Sequence, residues 1–331
     1  MEGRMPEESS LETIEPASWR RFERIAFRFS FSYIVLYYTP VVLGVVPGLG
    51  MPQAAYAKLW HLVDATVGAS LFGIYPARLV PHFTGSGDTT LAYVHQATTL
   101  AIALIIGILW TVLDRRRPHY VGLHGWLRVL ARYALAFALC GYAMAKIVPS
   151  QFGSLGETQL GKPLGQLSPM ALLWNFMAFS PSYTIFGGLA EMFPAILLVF
   201  RRTALLGSLI AFAVLLNVVM LNFCYDVPVK LYSLNLLLLS AFLIIPKMQR
   251  LLRILVLNHA VPCDDLREPF LKKGWPQSVT FSLKIAVLTV FLGQMIYRSL
   301  ENYYVARAAQ PPPAPLITRG FHWVQEYPYN R

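Results

Sequence analysis

Only one carboxylate, Glu191, lies inside the long apolar stretches of this 331-residue chain. It stands ten residues before Arg201, about 15 Å along a helix, which puts it near the middle of a bilayer. An ionisable group in hydrocarbon is costly and by default marks a function. The bland alternative is a protonated Glu191 hydrogen-bonding within a helix locally opened by Pro194, which cannot donate to the carbonyl of Ala190. Lys146, at the end of an earlier apolar stretch, is the one cation expected near an outer end. Together a Lys and a Glu could polarise a carbonyl oxygen or an anion and move a proton.

Other polar groups collect in the same outer half: His95, Gln96, Thr98 and Thr99, then Asn217, Asn222, Asn235 and Gln294. The short link Cys224–Lys230 places Asp226 and Lys230 four residues apart. A salt bridge fixing that turn is the plain reading; the functional one makes Tyr225, Asp226 and Lys230 the floor of an outward-opening polar cavity reaching Glu191. His95 could ligate haem or a metal, but no second His shares its helical face and His61 and His82 fall in surface segments, so no metal is expected. Thr84–Thr90 lacks the Lys of a phosphate loop and reads as a turn before a helix capped by Asp88 or Thr89.

The elements that position these groups follow from composition. The chain is 56% hydrophobic and 14% charged, with mean hydropathy +0.49, far from an ordinary soluble domain. Runs of about 20 apolar residues predict seven transmembrane helices: 25–46, 91–113, 127–148, 182–200, 203–223, 231–246 and 277–297. Lys and Arg number 15 in one alternating set of connecting segments and 8 in the other, so the first set is cytoplasmic. Arg28, Arg128, Arg132 and Lys284 fall near cytoplasmic ends, where they can snorkel. The N-terminus is expected inside and the C-terminus outside, in a bacterial cytoplasmic membrane. The leader before the first span is too long and acidic for a signal peptide.

The formal net charge of +11 does not indicate nucleic acid, because the basic residues flank apolar runs and no basic domain interleaved with aromatics accompanies them. Arg115–Arg117 is a stop signal that can meet anionic lipid. The cysteines at 140, 224 and 263 form no redox or zinc motif. No internal repeat supports an inverted-repeat transporter, although a small-molecule carrier could use the same polar cluster.

Domain organisation follows the spans. Residues 1–24 are a cytoplasmic segment, and 25–126 hold two helices plus an outer surface helix over 51–75, whose apolar side is Leu59, Leu62, Val63, Val67, Leu71 and Phe72. Residues 127–250 hold four helices, with 149–181 folded back as an outer lid; 251–276 are a cytoplasmic loop and 277–297 the last span. Residues 298–331 are an outer tail, in which the Pro-rich Gln310–Pro315 spacer delivers Arg319, Phe321, His322, Trp323, Tyr327 and Tyr329. So many rings predict docking on a membrane or periplasmic protein partner.

Three stretches carry a family resemblance: Gly141-Tyr142-Ala143-Met144-Ala145-Lys146, Gly187-Gly188-Leu189-Ala190-Glu191, and Arg201-Arg202-Thr203 with Leu206-Gly207. Over about residues 127–250 the sequence resembles the DoxX-like membrane proteins, four-helix bundles with a Lys ending one helix, a Glu in the next and a short basic turn after it. The other helices would be additions. The stretches NFCYDVPVKLYS and RGFHWVQEYPYNR resemble an uncharacterised bacterial subgroup. Relatives with assigned roles reduce quinone in thiosulfate oxidation or accompany membrane redox complexes. The resemblance therefore implies that Lys146 and Glu191 are the site pair, with quinone as the ligand class although no cofactor motif is evident. Two functions follow: a non-catalytic or accessory subunit of a membrane redox complex, or a quinone-linked oxidoreductase subunit in which Lys146 polarises the ligand, Glu191 handles the proton and Tyr225 and Asp226 line the entrance.

Overall fold

A computed structural model describes residues 18–45, 48–75, 79, 86–148, 150–153, 155–261 and 277–308. The tail residues Arg319, Phe321, Trp323, Tyr327 and Tyr329, most of the loop 251–276, the segment 81–85 and most of 1–24 lie outside them. Among the described residues every regular element is helical. The helices are α1 (Arg21–Val45), α2 (Gly50–Phe72), α3 (Thr90–Leu113), α4 (Val121–Ile147), α5 (Glu157–Leu160), α6 (Pro169–Phe179), α7 (Pro181–Val199), α8 (Ala204–Cys224), α9 (Lys230–Ile244), α10 (Met248–Leu255) and α11 (Gln277–Ala308).

Each of the seven expected spans coincides with a helix. Five are long and apolar enough to cross a membrane: α3, α4, α7, α8, and α9 continued through α10. Their outward side chains, such as Leu104, Ile105, Ile108 and Leu109 on α3, are suited to lipid as their solvent. The helices at the first and seventh positions are more polar. α1 carries Arg21, Glu23, Arg24 and Arg28, and α11 runs on to Ala308 through Arg298, Glu301 and Arg307. The expected end of the sixth span at Pro246 is passed by one 3-10 turn, Ile245–Lys247, and then α10. A proline is compatible with the start of a helix, so α10 begins there rather than the chain leaving it.

The chain divides into two compact units. The first comprises residues 1–139 and 193–283. Within it α8 packs on α9 and α1 on α3, with α2 against both α1 and α3. Small residues make these contacts close. Gly207, Ser208 and Ala211 are buried along α8, and a Cβ on Gly207 would meet the Leu198 nitrogen at 2.9 Å. Gly107 brings α3 to 3.4 Å from the Phe29 Cα. On α4, Leu127, Ala131, Ala134, Leu135 and Leu139 form a buried stripe at helical spacing.

One expectation is refined and one corrected in this unit. Outer helix α2 turns Trp60, Asp64 and Gly68 inward, whereas Leu59, Leu62, Leu71 and Phe72 are exposed. A partner for Asp64 and the small Gly68, where a Cβ would lie 2.7 Å from the Leu79 Cδ1, decide which side packs. Arg28 is only 3% exposed and does not snorkel. Its Nη2 donates to the Asp114 carbonyl at 2.6 Å and to the Tyr120 hydroxyl at 2.8 Å.

The second unit comprises residues 140–192 and 284–331. Here the expected lid segment is folded. α5 and α6 lie within it, Ser168 caps α6 by accepting from the Ala171 nitrogen at 3.2 Å, and Phe152 meets Trp174 edge-on at 5.1 Å.

Candidate functional site

The second unit brings Lys146 and Glu191 together. Lys146 Nζ donates to Glu191 Oε1 at 2.9 Å and Oε2 at 2.8 Å, with Glu191 2% and Lys146 9% exposed. The local sequence permits this approach. A Cβ on Gly188 would lie 2.8 Å from Ile147 Cγ1 and 2.9 Å from the Ala143 carbonyl oxygen, so α7 can lie this close to α4 only with glycine there. Glu191 is held by an interhelical ion pair, not by a locally opened helix at Pro194. The Tyr142 ring lies 5.4 Å from the ammonium, within cation–π reach. Six residues before Lys146 and one after Glu191, the Cys140 thiol donates to the Met192 thioether at 3.8 Å.

Chemically the pair is a buried donor beside a buried proton carrier. Two of the three ammonium N–H groups are engaged by the carboxylate, leaving one that can meet a carbonyl oxygen.

Of the remaining sequence candidates, Gln294 falls in the second unit and the tail residues lie outside the described residues; the others belong to the first unit, and most of them find structural partners. Lys230 Nζ donates to Asp226 Oδ1 at 2.6 Å. Asp226 is exposed and adopts a left-handed backbone, φ 52°, so this ion pair fixes the α8–α9 turn beside Tyr225. Asn222 Nδ2 donates to Ser233 Oγ at 2.9 Å, tying α8 to α9. Asn235 belongs to a closed ring of three side chains. Its Nδ2 donates to Gln96 Oε1 at 2.9 Å, Gln96 Nε2 donates to the Tyr33 hydroxyl at 2.8 Å, and Tyr33 donates to Asn235 Oδ1. Within the ring each member gives and accepts one bond, and Asn235 Nδ2 also donates to the Leu231 carbonyl at 2.9 Å, which suits a structural network joining α1, α3 and α9.

His95 has a partner the sequence reading missed. Asp64 Oδ2 lies 2.8 Å from His95 Nδ1, Trp60 packs edge-on to the imidazole at 4.7 Å, and Asp64 is 3% exposed. The available signal was Asp64, the one acidic residue of α2, four residues after Trp60. At the Gly87–Asp88 turn, Thr89 caps α3 as expected. Asp88 instead caps α9, accepting from the Lys230 nitrogen at 2.8 Å and the Leu231 nitrogen at 3.2 Å.

An aromatic cluster at the other end of α3 holds Arg28. Phe27 stacks on Tyr120 at 5.2 Å, and the Tyr120 hydroxyl donates to Asp114 Oδ2 at 2.7 Å. That hydrogen bond holds the Asp114 carboxyl below its usual range. Burial, reinforced by Asp114, pushes the Tyr120 hydroxyl up.

Fold and site together define a multi-pass helical protein with a buried interhelical ion pair. Among known proteins, the chain is 35% identical over 102 residues to the uncharacterized protein YwoB of Bacillus subtilis (strain 168). That alignment covers 30% of this chain and 62% of YwoB. No family model and no solved structure matches the chain.

Proposed function

We propose that the chain is a DoxX-like bacterial inner-membrane protein, crossing the bilayer seven times with its N-terminus cytoplasmic and its C-terminus outside, that binds a quinone at Lys146 and Glu191. The observation that carries this reading is the two-bond ion pair buried between helices suited to hydrocarbon. Apolar packing often replaces such a pair without loss of stability, so a charged pair buried here supports a use beyond holding two helices together. Quinone chemistry couples electrons to protons and so needs both a donor to the ring oxygen and a proton carrier. Lys146 supplies the first through its remaining N–H. Glu191 supplies the second, with its two oxygens already oriented by Lys146, and the apolar surroundings keep bulk water from short-circuiting the transfer.

Native mass spectrometry of the protein extracted in mild detergent from its own membrane tests the reading. The expected spectrum carries a quinone-sized increment that disappears in Glu191→Gln and in Lys146→Met. A bare mass in the unmodified protein, or an increment kept in both variants, overturns it.

The tail composition favours a second reading, an accessory subunit of a membrane redox complex that docks a membrane or periplasmic partner through Arg319, Phe321, Trp323, Tyr327 and Tyr329. Removing residues 310–331 should then release a co-purifying polypeptide while the helices stay folded. Unchanged co-purification removes this reading.

A further inference from the structure

The second unit also contains a groove that the ion pair does not use. A hollow of about 510 Å³ is walled by Leu160, Leu172, Phe176, Phe179 and Tyr183. A second hollow of about 280 Å³ shares Leu155, Gln159 and Asn175 with it, so the two form one elongated channel along α5 and α6. Its walls are mostly apolar, interrupted by Gln159, Ser168, Asn175 and Ser180, and two of its wall rings are exposed, Phe176 at 59% and Phe179 at 76%. A water-facing domain would not display such a row.

The chain around the groove indicates what covers it. α6 has 11 residues, PMALLWNFMAF, too apolar for water and too short to cross a bilayer. One residue, Ser180, separates it from α7, which is long and apolar enough to cross. The groove therefore sits where a spanning helix ends, at the edge of the hydrocarbon. Phe176, Tyr183 and Phe186 continue as a line of touching rings from α6 onto α7, at 5.5 and 6.2 Å.

The same helices lead from the groove toward the ion pair. A Cβ on Gly187 would lie 3.9 Å from Lys146 Cδ and 4.0 Å from Met177 Cε, so α6 and the Lys146 side chain approach the same turn of α7. Tyr183, on the groove wall, precedes Gly187 by one turn, about 6 Å along the helix. The Thr184 hydroxyl donates to the Met177 carbonyl at 2.7 Å and fixes α6 against that turn.

We propose that this groove holds the hydrocarbon tail of the quinone whose head meets Lys146 and Glu191. The inference rests on the quinone reading and names its substrate class, a long-tailed, lipid-soluble quinone and not a water-soluble one. Tail and head then act as two linked modules, each raising the local concentration of the other.

The test compares decylubiquinone with 2,3-dimethoxy-5-methyl-1,4-benzoquinone, the same head without a tail, binding to the full-length protein in one detergent. Binding is read from tryptophan quenching and native mass spectrometry. The expected advantage of the tailed probe is about tenfold. Leu172→Trp and Leu160→Trp, which fill the groove from partly exposed positions, should each reduce that advantage below threefold and leave the tail-less probe unchanged. Because micelle partitioning is common to all three proteins, the differences between them report on the groove. Equal binding of both probes to the unmodified protein, or an advantage surviving in both filled variants, overturns the groove assignment while leaving the quinone reading intact. Binding of neither probe overturns the quinone reading itself. Loss of a co-purifying polypeptide in the filled variants, with probe binding unchanged, makes the groove a protein-docking face and also overturns the proposal.

Discussion

Lys146 and Glu191, 45 positions apart in the chain, share two hydrogen bonds between α4 and α7. Because both are almost fully buried, each charge depends on the other for the solvation that lipid and apolar side chains do not give. Glu191→Leu or Lys146→Met alone should cost about 3–5 kcal/mol, since one charge is left buried without its counterpart. The double substitution Lys146→Met with Glu191→Leu should recover most of that loss. Unfolding in detergent of the four proteins measures both effects, and strictly additive losses would show that the contact carries no coupling.

Gly188 and Gly187 should respond oppositely to the same change. A methyl group on Gly188 meets the Ala143 backbone oxygen at 2.9 Å, an atom that cannot rotate aside, so Gly188→Ala should destabilise by about 1–3 kcal/mol. At Gly187 the nearest atom lies at 3.9 Å, ordinary contact, and Gly187→Ala should keep the ion pair and the melting temperature. Equal effects would mean that α7 does not approach α4 through Gly188.

Asp64 and His95 form a further polar contact between helices, joining α2 to α3. In a double-mutant cycle of Asp64→Asn and His95→Gln, the coupling should be about 0.5–3 kcal/mol. Thermal unfolding in detergent gives the value. A coupling of zero would place the two side chains apart and leave α2 anchored by Trp60 and Gly68 alone.

The Asp114–Tyr120–Arg28 cluster predicts a pH response. The folded protein holds the Asp114 carboxyl below its ordinary value, so its contribution is present above the ordinary carboxylate range and is lost as the pH falls through the depressed folded value. Tyr120 is shifted up. Its contribution is present below the ordinary tyrosine value and is lost as the pH rises through the raised one. Tyr120→Phe removes the donor to Asp114 and an acceptor for Arg28, so it should lower stability at neutral pH and flatten the acid limb of the melting curve. Parallel melting temperatures across pH for the two proteins would contradict this.

Helix positions were legible because apolar runs of the right length need no partner to declare themselves: all seven runs coincide with helices, usually within a few residues. Lys146 and Glu191 were legible individually, as rare charges in apolar stretches, and so were Gln96, Asn222 and Asn235. Their partners were not. Asp64 reads as one polar residue of a surface helix, and Tyr33 as one aromatic among several in α1. Only packing shows that Asp64 faces His95 and that Tyr33 closes the ring with Gln96 and Asn235. Which side of α2 packs was not legible, because apolar residues suit lipid as well as a protein core and hydropathy could not choose between them. Spacing told truly for Asp226 and Lys230, four residues apart in one turn, because that contact is local.

The carboxylate of Asp88 receives the first two backbone nitrogens of α9 from 142 and 143 positions away. During synthesis the ribosome has therefore released this cap well before α9 emerges, and the late helix starts on a ready-made acceptor supplied by the early part of the chain. A fragment cut to residues 127–250 would keep α5 to α9 and most of α4 yet lose that acceptor. The segment with the DoxX-like resemblance is thus not self-sufficient here, and the helices that precede it contribute to its last member.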